Sequence, residues 1–463
     1  MLSLSRIPLF VSLVAASPAV AAQDANGSET FAPCADAGTH ASLAGTQCAR
    51  IEAPLDHDAA GGETIELFVR RFPAEGAAKG ELWLVAGGPG ESGASFYPFI
   101  DTLRGGAPGY DLVIPDHRGT GFSTRLCPIE ESPESAGGTA IEGAEWGTCF
   151  RALNAVPDRT RAFSITNAAH DLTMLMDRLD DGRPRYLYGV SYGTQLVLRT
   201  LAVAGKDVAD GVILDSLVPP EATEEFDLSR RSAVVDMVGR QVLAECDALA
   251  DCSRYFAGPA ADTLSQVLAD PDLAEPLGPK PKYTLGAFLD LPETRAMLPY
   301  VIAGLKAGDA RWLEHAEARL AELSGIFAPY PQAASSIPLV SVISRSENNP
   351  RPELTAETIA EEEAGLLFAS PLPSLLLMGG IPAYEKDDLF AAPPKALPPT
   401  LVMHGTLDPK TTLAGAKQHV AMFEAAGDVE LIEIDRAPHF ILMVAPDEFA
   451  ARLNSFIEAT STD

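Results

Sequence analysis

A serine framed by glycines, Gly189-Val190-Ser191-Tyr192-Gly193, offers the most direct route to chemistry in this chain: nucleophilic attack by a hydroxyl. An apolar, β-prone run (186–190) precedes it, and an amphipathic run (192–201) follows it, closed by Gly205. A serine at so tight a strand-to-helix turn is held in a strained conformation with its hydroxyl exposed. A side chain at either flanking glycine would strike the neighbouring strand or helix. The helix that starts at once aims its N-terminal amides at the same place, where they can stabilise an oxyanion. Taken alone, the pentapeptide is equally consistent with a plain glycine-rich β-to-α turn. Its meaning rests on whether an acid, a base and an oxyanion loop occur at the right structural places.

Two residues meet that requirement. Asp408 stands in Gly405-Thr406-Leu407-Asp408-Pro409, just past one strand-like run, and His439 stands in Arg436-Ala437-Pro438-His439-Phe440, just past the next. Active sites of open α/β sheets lie at that edge. In the order Ser191, Asp408, His439, the histidine takes the serine proton and later passes it to the leaving group. The aspartate fixes the imidazole tautomer and stabilises its charged form. Asp215, which also ends a strand, is the alternative acid. His40, His57, His117, His170, His315, His404 and His419 have ordinary readings as loop, turn, helix or strand-end residues. The Gly87-Gly88-Pro89-Gly90 turn is the natural oxyanion loop, with the backbone amides of Gly88 and Tyr192 as the expected donors. Losing one such donor typically costs about 10² to 10³ in rate.

Positioning these groups requires a sheet. Residues 49–54 and 63–72 read as two strands at its antiparallel edge, the second alternating Ile65, Leu67 and Val69 on one face. The runs 81–86 and 110–115 are nearly continuously apolar, as strands buried on both faces of a parallel sheet are, 210–215 is another of that type, and 186–190, 400–405 and 429–434 also read as strands. Helical spacing appears from Thr166 (Leu172, Leu175, Met176, Leu179), over 414–426, and over 447–458. Alternating strands and helices specify a mostly parallel, doubly wound α/β sheet with right-handed crossovers. From 221 to about 395 the pattern changes: helical periodicity dominates (234–246, 260–269, 311–323), prolines interrupt it, and only 337–344 resembles a buried strand. The expected organisation is therefore a first part of the core over 23–220, a helical cap insertion over 221–395, and a second part of the core over 396–463, entered through Pro393-Pro394 and Pro398-Pro399.

Residues 1–22 read as a secretory signal peptide, with a basic start, an apolar stretch over 7–16 and a small-residue cleavage site at Ala19-Val20-Ala21-Ala22. Export to the periplasm or beyond is the expectation, with no membrane anchor, because no later apolar run approaches the length of a span. Six cysteines fall into three sequence-local pairs, which suggests disulfides Cys34–Cys48, Cys127–Cys149 and Cys246–Cys252. No C-x-x-C occurs and no histidine cluster lies beside a cysteine, so neither metal nor cofactor is expected. A formal net charge of −30 argues against nucleic acid and anionic lipid as partners. Solubility accounts for such a charge, and it also permits a preference for cationic substrates such as the free amine of a peptide.

The blocks Ala86-Gly87-Gly88-Pro89-Gly90, Asp116 to Ser123, Gly189 to Thr194, His404 to Pro409 and Ala437-Pro438-His439 resemble those of the prolyl aminopeptidase and tripeptidyl aminopeptidase family of α/β-hydrolases. The resemblance spans roughly residues 45–220 and 395–460. It implies an α/β-hydrolase fold and cleavage of short peptides from a free amino terminus, with a helical cap limiting access and acidic cap groups holding the amine. Ala86 departs from the histidine usual in prolyl aminopeptidases, and Glu91 from the further glycine usual in the exported tripeptidyl type. Residues 341–347 resemble the family's strand ending in an acidic residue, with Arg345 where a cysteine is usual. Glu347 is thereby the candidate for binding the amine, a solvated loop carboxylate being the competing account. Asp116 and Arg118 read as a buried structural pair near the site. A carboxylesterase, or another α/β-hydrolase of small esters or amides, is the alternative function; a noncatalytic binding protein with the same fold is a third.

Overall fold

The computed structural model describes residues 30–59, 61–423 and 425–461. The expected signal peptide, 1–22, lies outside the described residues. Among them is one sheet of nine strands: β1 (Ala32–Pro33), β2 (Gln47–Pro54), β3 (Thr64–Phe72), β4 (Gly80–Val85), β5 (Tyr110–Asp116), β6 (Arg185–Val190), β7 (Gly211–Asp215), β8 (Thr400–Gly405) and β9 (Val429–Ile434). Their order is β1-β2-β3-β5-β4-β6-β7-β8-β9. β1, β2 and β3 pair antiparallel, and β3 lies antiparallel to β5. From β5 through β4 to β9 every pairing is parallel.

The near-continuous apolar runs have the cause expected of them. Every residue of β4, β5, β7 and β8 is buried, because helices cover both faces. Alternate residues of one strand serve opposite layers. Trp83 and Val85 pack with Leu172 and Leu196 of the helices Ile165–Arg178 and Tyr192–Ala204, whereas Leu82 and Leu84 pack with Leu103 and Leu453 of the helices Ile100–Gly106 and Pro446–Thr460. The parallel pairing also sets the site. Val190 pairs with Asp215, Asp215 with Met403, and Gly405 with Ile434, so the carboxyl ends of β6, β7, β8 and β9 lie along one edge.

Between β7 and β8 the described residues form helices and loops with a separate apolar cluster, to which Val238 and Leu243, Leu264, and Leu298 and Ile302 contribute from the helices Arg231–Ala248, Ala260–Ala269 and Pro292–Lys306. One expectation here is corrected. Residues 337–344 are not a strand: Ile337–Ser346 is a helix, capped by Ser336, whose side chain accepts the Leu339 amide, and it carries Pro338 in its first turn. The three cysteine pairs are those expected: Cys34–Cys48, Cys127–Cys149 and Cys246–Cys252. No helix among the described residues is long and apolar enough to cross a membrane.

Candidate active site

β6 ends at Val190 and the helix Tyr192–Ala204 starts two residues later, leaving Ser191 to make the whole reversal with φ 54° and ψ −124°. For a residue with a side chain that region is strained, and it persists only when the surroundings over-determine it. They do so here. The Ser191 amide donates to the Asp215 carbonyl at 3.0 Å, and the Ser191 carbonyl accepts both the amide and the hydroxyl of Thr194, at 2.8 and 2.7 Å. The glycines permit the close approach. A Cβ on Gly189 would lie 2.5 Å from the Gly193 carbonyl oxygen, and one on Gly193 would lie 2.3 Å from that of Val85.

Beyond β8 and β9 the expected acid and base meet. His439 Nδ1 lies 2.7 Å from Asp408 Oδ2. A carboxylate can only accept, so Nδ1 carries the proton and Nε2 is left with a lone pair able to take one from a hydroxyl. Asp408 is buried, and its Oδ1 accepts the amides of Lys410 (2.7 Å) and Thr411 (2.8 Å) while its Oδ2 accepts the Thr411 hydroxyl (2.9 Å). Burial pushes this carboxyl up, but the charge and hydrogen bond of His439, with His404 and the Lys410 amide behind them, hold it well below the usual carboxylate range.

The loop that carries the histidine is tied to the serine turn through two neighbouring residues. Asp215 gives its carbonyl to the Ser191 amide, and Ser216 Oγ accepts the Phe440 amide at 2.8 Å. The Asp215 carboxylate is fully engaged, by Tyr188, Ser216, Ile441 and Leu442. It holds the histidine loop and makes no hydrogen bond to an imidazole.

Gly88 and Gly90 both have φ 112°, a conformation that side chains disfavour, and a Cβ on Gly87 would lie 3.2 Å from that of Ser191. The loop backbone therefore runs against the serine. Tyr192 opens its helix, so its amide has no acceptor within that helix. Gly88, Ser191 and Tyr192 share the wall of one cavity. Gln195, Glu221 and Asn348 also line it.

Glu347 is not a solvated loop residue. It is 2% exposed and sits next to Asn348, with Oε2 accepting from Arg199 Nη2 at 2.7 Å and Oε1 from the Tyr384 hydroxyl at 2.8 Å. Arg199 also meets Glu221 at 3.0 Å and Asp387 at 3.7 Å. Asp116 and Arg118 are each buried but are not one another's partners, which corrects the expected pair. Asp116 accepts the amides of Gly93 and Phe122, and Arg118 grips Asp171 through two contacts of 2.6 and 2.7 Å. Sequence reasoning missed Thr411, Arg199 and Glu221. Only Glu221 carried a signal, directly after Pro219-Pro220 at the exit of β7.

The strand order and the matched family model define the fold: this chain has the α/β-hydrolase fold. Residues 82–256 match a family model described as alpha/beta hydrolase fold. The chain is similar to the serine protease Hip1 of Mycobacterium tuberculosis, 28% identical over 268 residues, which are 54% of this chain and 51% of that protein. It is also similar to carboxylesterase B of the same organism, 41% identical over 85 residues, or 17% of this chain and 16% of that one. The chain thus spans about half the length, or less, of the curated relatives it matches. Among solved structures, a proline iminopeptidase from Mycobacterium smegmatis aligns over 89% of this chain and 100% of its own at 14% identity, with a TM-score of 0.40. A thermophilic esterase from Thermogutta terrifontis aligns over 89% and 98% at 15% identity, with a TM-score of 0.39.

Proposed function

We propose that the protein is an exported serine hydrolase that releases residues or short peptides from free peptide amino termini through an acyl-enzyme on Ser191. The observation that carries the reading is the 2.7 Å hydrogen bond between His439 and Asp408 at the sheet edge where Ser191 is held in its strained turn. In this mechanism His439 Nε2 takes the hydroxyl proton as Ser191 Oγ attacks the substrate carbonyl carbon. Negative charge gathers on the carbonyl oxygen and is met by the amides of Gly88 and Tyr192. The imidazolium then gives its proton to the leaving amine, and water repeats the sequence to free the acyl group.

The preference for an amine rests on charge. Glu221 faces the cavity, Glu347 lies behind it, and Asp387 stands beside them, so three carboxylates share the single cation Arg199. An ammonium group is drawn to such an excess. Likeness to a relative named as a serine protease agrees with peptide cleavage. Three disulfides suit an oxidising compartment. Likeness to a carboxylesterase over 85 residues favours the second reading, hydrolysis of small esters by the same groups.

Chromogenic aminoacyl and tripeptidyl amides, free or blocked at the amine, separate the two. The aminopeptidase cleaves only the free forms, and Ser191→Ala abolishes turnover. Equal rates on blocked substrates would remove the aminopeptidase reading, and a clear preference for short acyl esters would install the esterase. Absence of Ser191 labelling by an organophosphonate would remove both.

A further inference from the structure

The wall of the Ser191 cavity carries a cation that the mechanism does not use. Arg231 lines the cavity, is 7% exposed, and has its Nε buried without a hydrogen-bond partner. Among the described residues its guanidinium makes no hydrogen bond and no ion pair. Four other buried arginines have a carboxylate partner, Arg70 with Asp36, Arg118 with Asp171, Arg125 with Glu131 and Arg199 with Glu347, while the buried Arg295 donates to the Arg436 carbonyl. Two of the carboxylates that face Arg231 are engaged elsewhere: Asp408 holds His439 and Asp290 is paired with Lys410 at 3.0 Å. The third, Asp227 on the same wall, accepts the Ser229 amide through Oδ1, has Oδ2 buried without a partner, and makes no ion pair with Arg231. Burial outweighs those carboxylates and pulls the guanidinium down to about 10, so it is still charged at neutral pH.

Its position adds to the anomaly. Arg231 is the first residue of the helix Arg231–Ala248, where the positive end of the helix dipole disfavours a cation. An arginine that is both desolvated and badly placed on its helix weakens the fold, and such local inconsistency marks functional positions. Guanidinium and helix end have the same sign, so an anion entering the cavity is attracted by both. Elsewhere on the wall Glu221 brings the opposite charge.

We propose that Arg231 receives a carboxylate of the substrate, through the two-pronged contact that a guanidinium makes with that group. The carboxylate is either the free carboxyl terminus of a short peptide or an acidic side chain beside the scissile bond. The cavity then selects small substrates that carry both an amine and a carboxylate. This inference deepens the hydrolase reading of the Ser191 cavity and rests on it for the word substrate, whereas its test reads binding without turnover.

The test is calorimetric titration of full-length Ser191→Ala protein with two matched pairs: Ala-Ala-Ala against its carboxy-terminal amide, and Ala-Glu-Ala-amide against Ala-Gln-Ala-amide. The carboxylate member of at least one pair binds at least about tenfold more tightly, and which pair responds identifies the source. Adding Arg231→Gln brings the two members within about twofold, and Arg231→Lys retains part of the difference. Near-UV circular dichroism checks the folding of these variants, and the comparison in protein that keeps Arg231 needs neither of them. Equal affinities in both pairs, or no binding of any of the four peptides, would overturn the inference. Organophosphonate labelling of Ser191 in wild-type protein judges the hydrolase reading separately.

Discussion

Asp215 and Ile441 are joined across the edge of the sheet: the carboxylate of the first accepts the amide of the second at 2.9 Å. Its other oxygen takes the Leu442 amide at 3.0 Å and the Tyr188 hydroxyl at 2.9 Å. This strand-end carboxylate, the alternative acid of the sequence reading, is thus spent on the chain just beyond His439. The two aspartates should therefore fail differently. Asp408→Asn is expected to lower kcat by about 10³ to 10⁴, since it favours the wrong imidazole tautomer. Asp215→Asn leaves one amide facing a donor and is expected to cost about 1–3 kcal/mol of stability with a smaller loss of rate. Steady-state kinetics beside thermal unfolding of both variants checks this. A larger rate loss from Asp215→Asn would make Asp215 the acid.

Thr411 serves the same dyad from the other side. Its hydroxyl lies 2.9 Å from Asp408 Oδ2, 3.1 Å from the Ser216 carbonyl and 3.3 Å from His439 Nδ1. One hydroxyl therefore braces the acid, the base and the residue that anchors the histidine loop. Thr411→Val keeps the shape and removes these contacts. The expected result is a fall in kcat of roughly 10- to 100-fold with little change in KM, because the group acts through the dyad rather than on substrate. Thr411→Ser should recover most of the rate.

These residues show where sequence reading reached and where it stopped. The placing of Ser191, Asp408 and His439 at one edge was legible because each follows a strand-like run, and a parallel sheet brings the ends of such runs together. Thr411, Glu221 and Arg231 were not, since their roles depend on where loops fold back and no spacing rule records that. The helix Ile337–Ser346 misled for a physical reason. All its residues from Pro338 to Ser344 are buried, so the polar face that gives a helix its period is missing and the β-branched run imitates a strand. Ser336 and Pro338, a cap and a first-turn proline, were the signals that outranked it.

A buried histidine links stability to pH. Burial pulls the His117 imidazole down to about 4 from an ordinary 6.5. Between those values the unfolded chain binds a proton that the folded one refuses, so stability falls as pH drops through 6.5 and the loss levels off below about 4. His404 and His419 are shifted in the same direction by burial. The share of His117 is on the order of 2 kcal/mol at pH 5. Denaturant unfolding of wild-type and His117→Gln protein from pH 8 to 5 measures it. The variant should show the flatter curve, and parallel curves would relieve His117 of this role.

Gly193 tests whether the strained turn is required for activity. A methyl there would meet the carbonyl oxygens of Val85 at 2.3 Å and Ala86 at 2.9 Å. These are backbone atoms of a fully buried central strand and of the residue leading into the oxyanion loop, and neither can yield by rotating a side chain. Gly193→Ala must then push the helix Tyr192–Ala204 away from β4, carrying Ser191 and the Tyr192 amide with it. A displacement of about 1 Å at a reacting group costs on the order of 10² in rate. The expected variant folds with reduced stability and loses at least that factor in kcat, on peptide and ester substrates alike, because nucleophile and oxyanion donor move together. Gly205→Ala is the control: a Cβ there meets nothing within 4 Å, so only the strain of its φ of 83° is added, at the far end of the same helix. Equal kinetic damage from the two substitutions would show that the close approach at Gly193 is not what aligns the site.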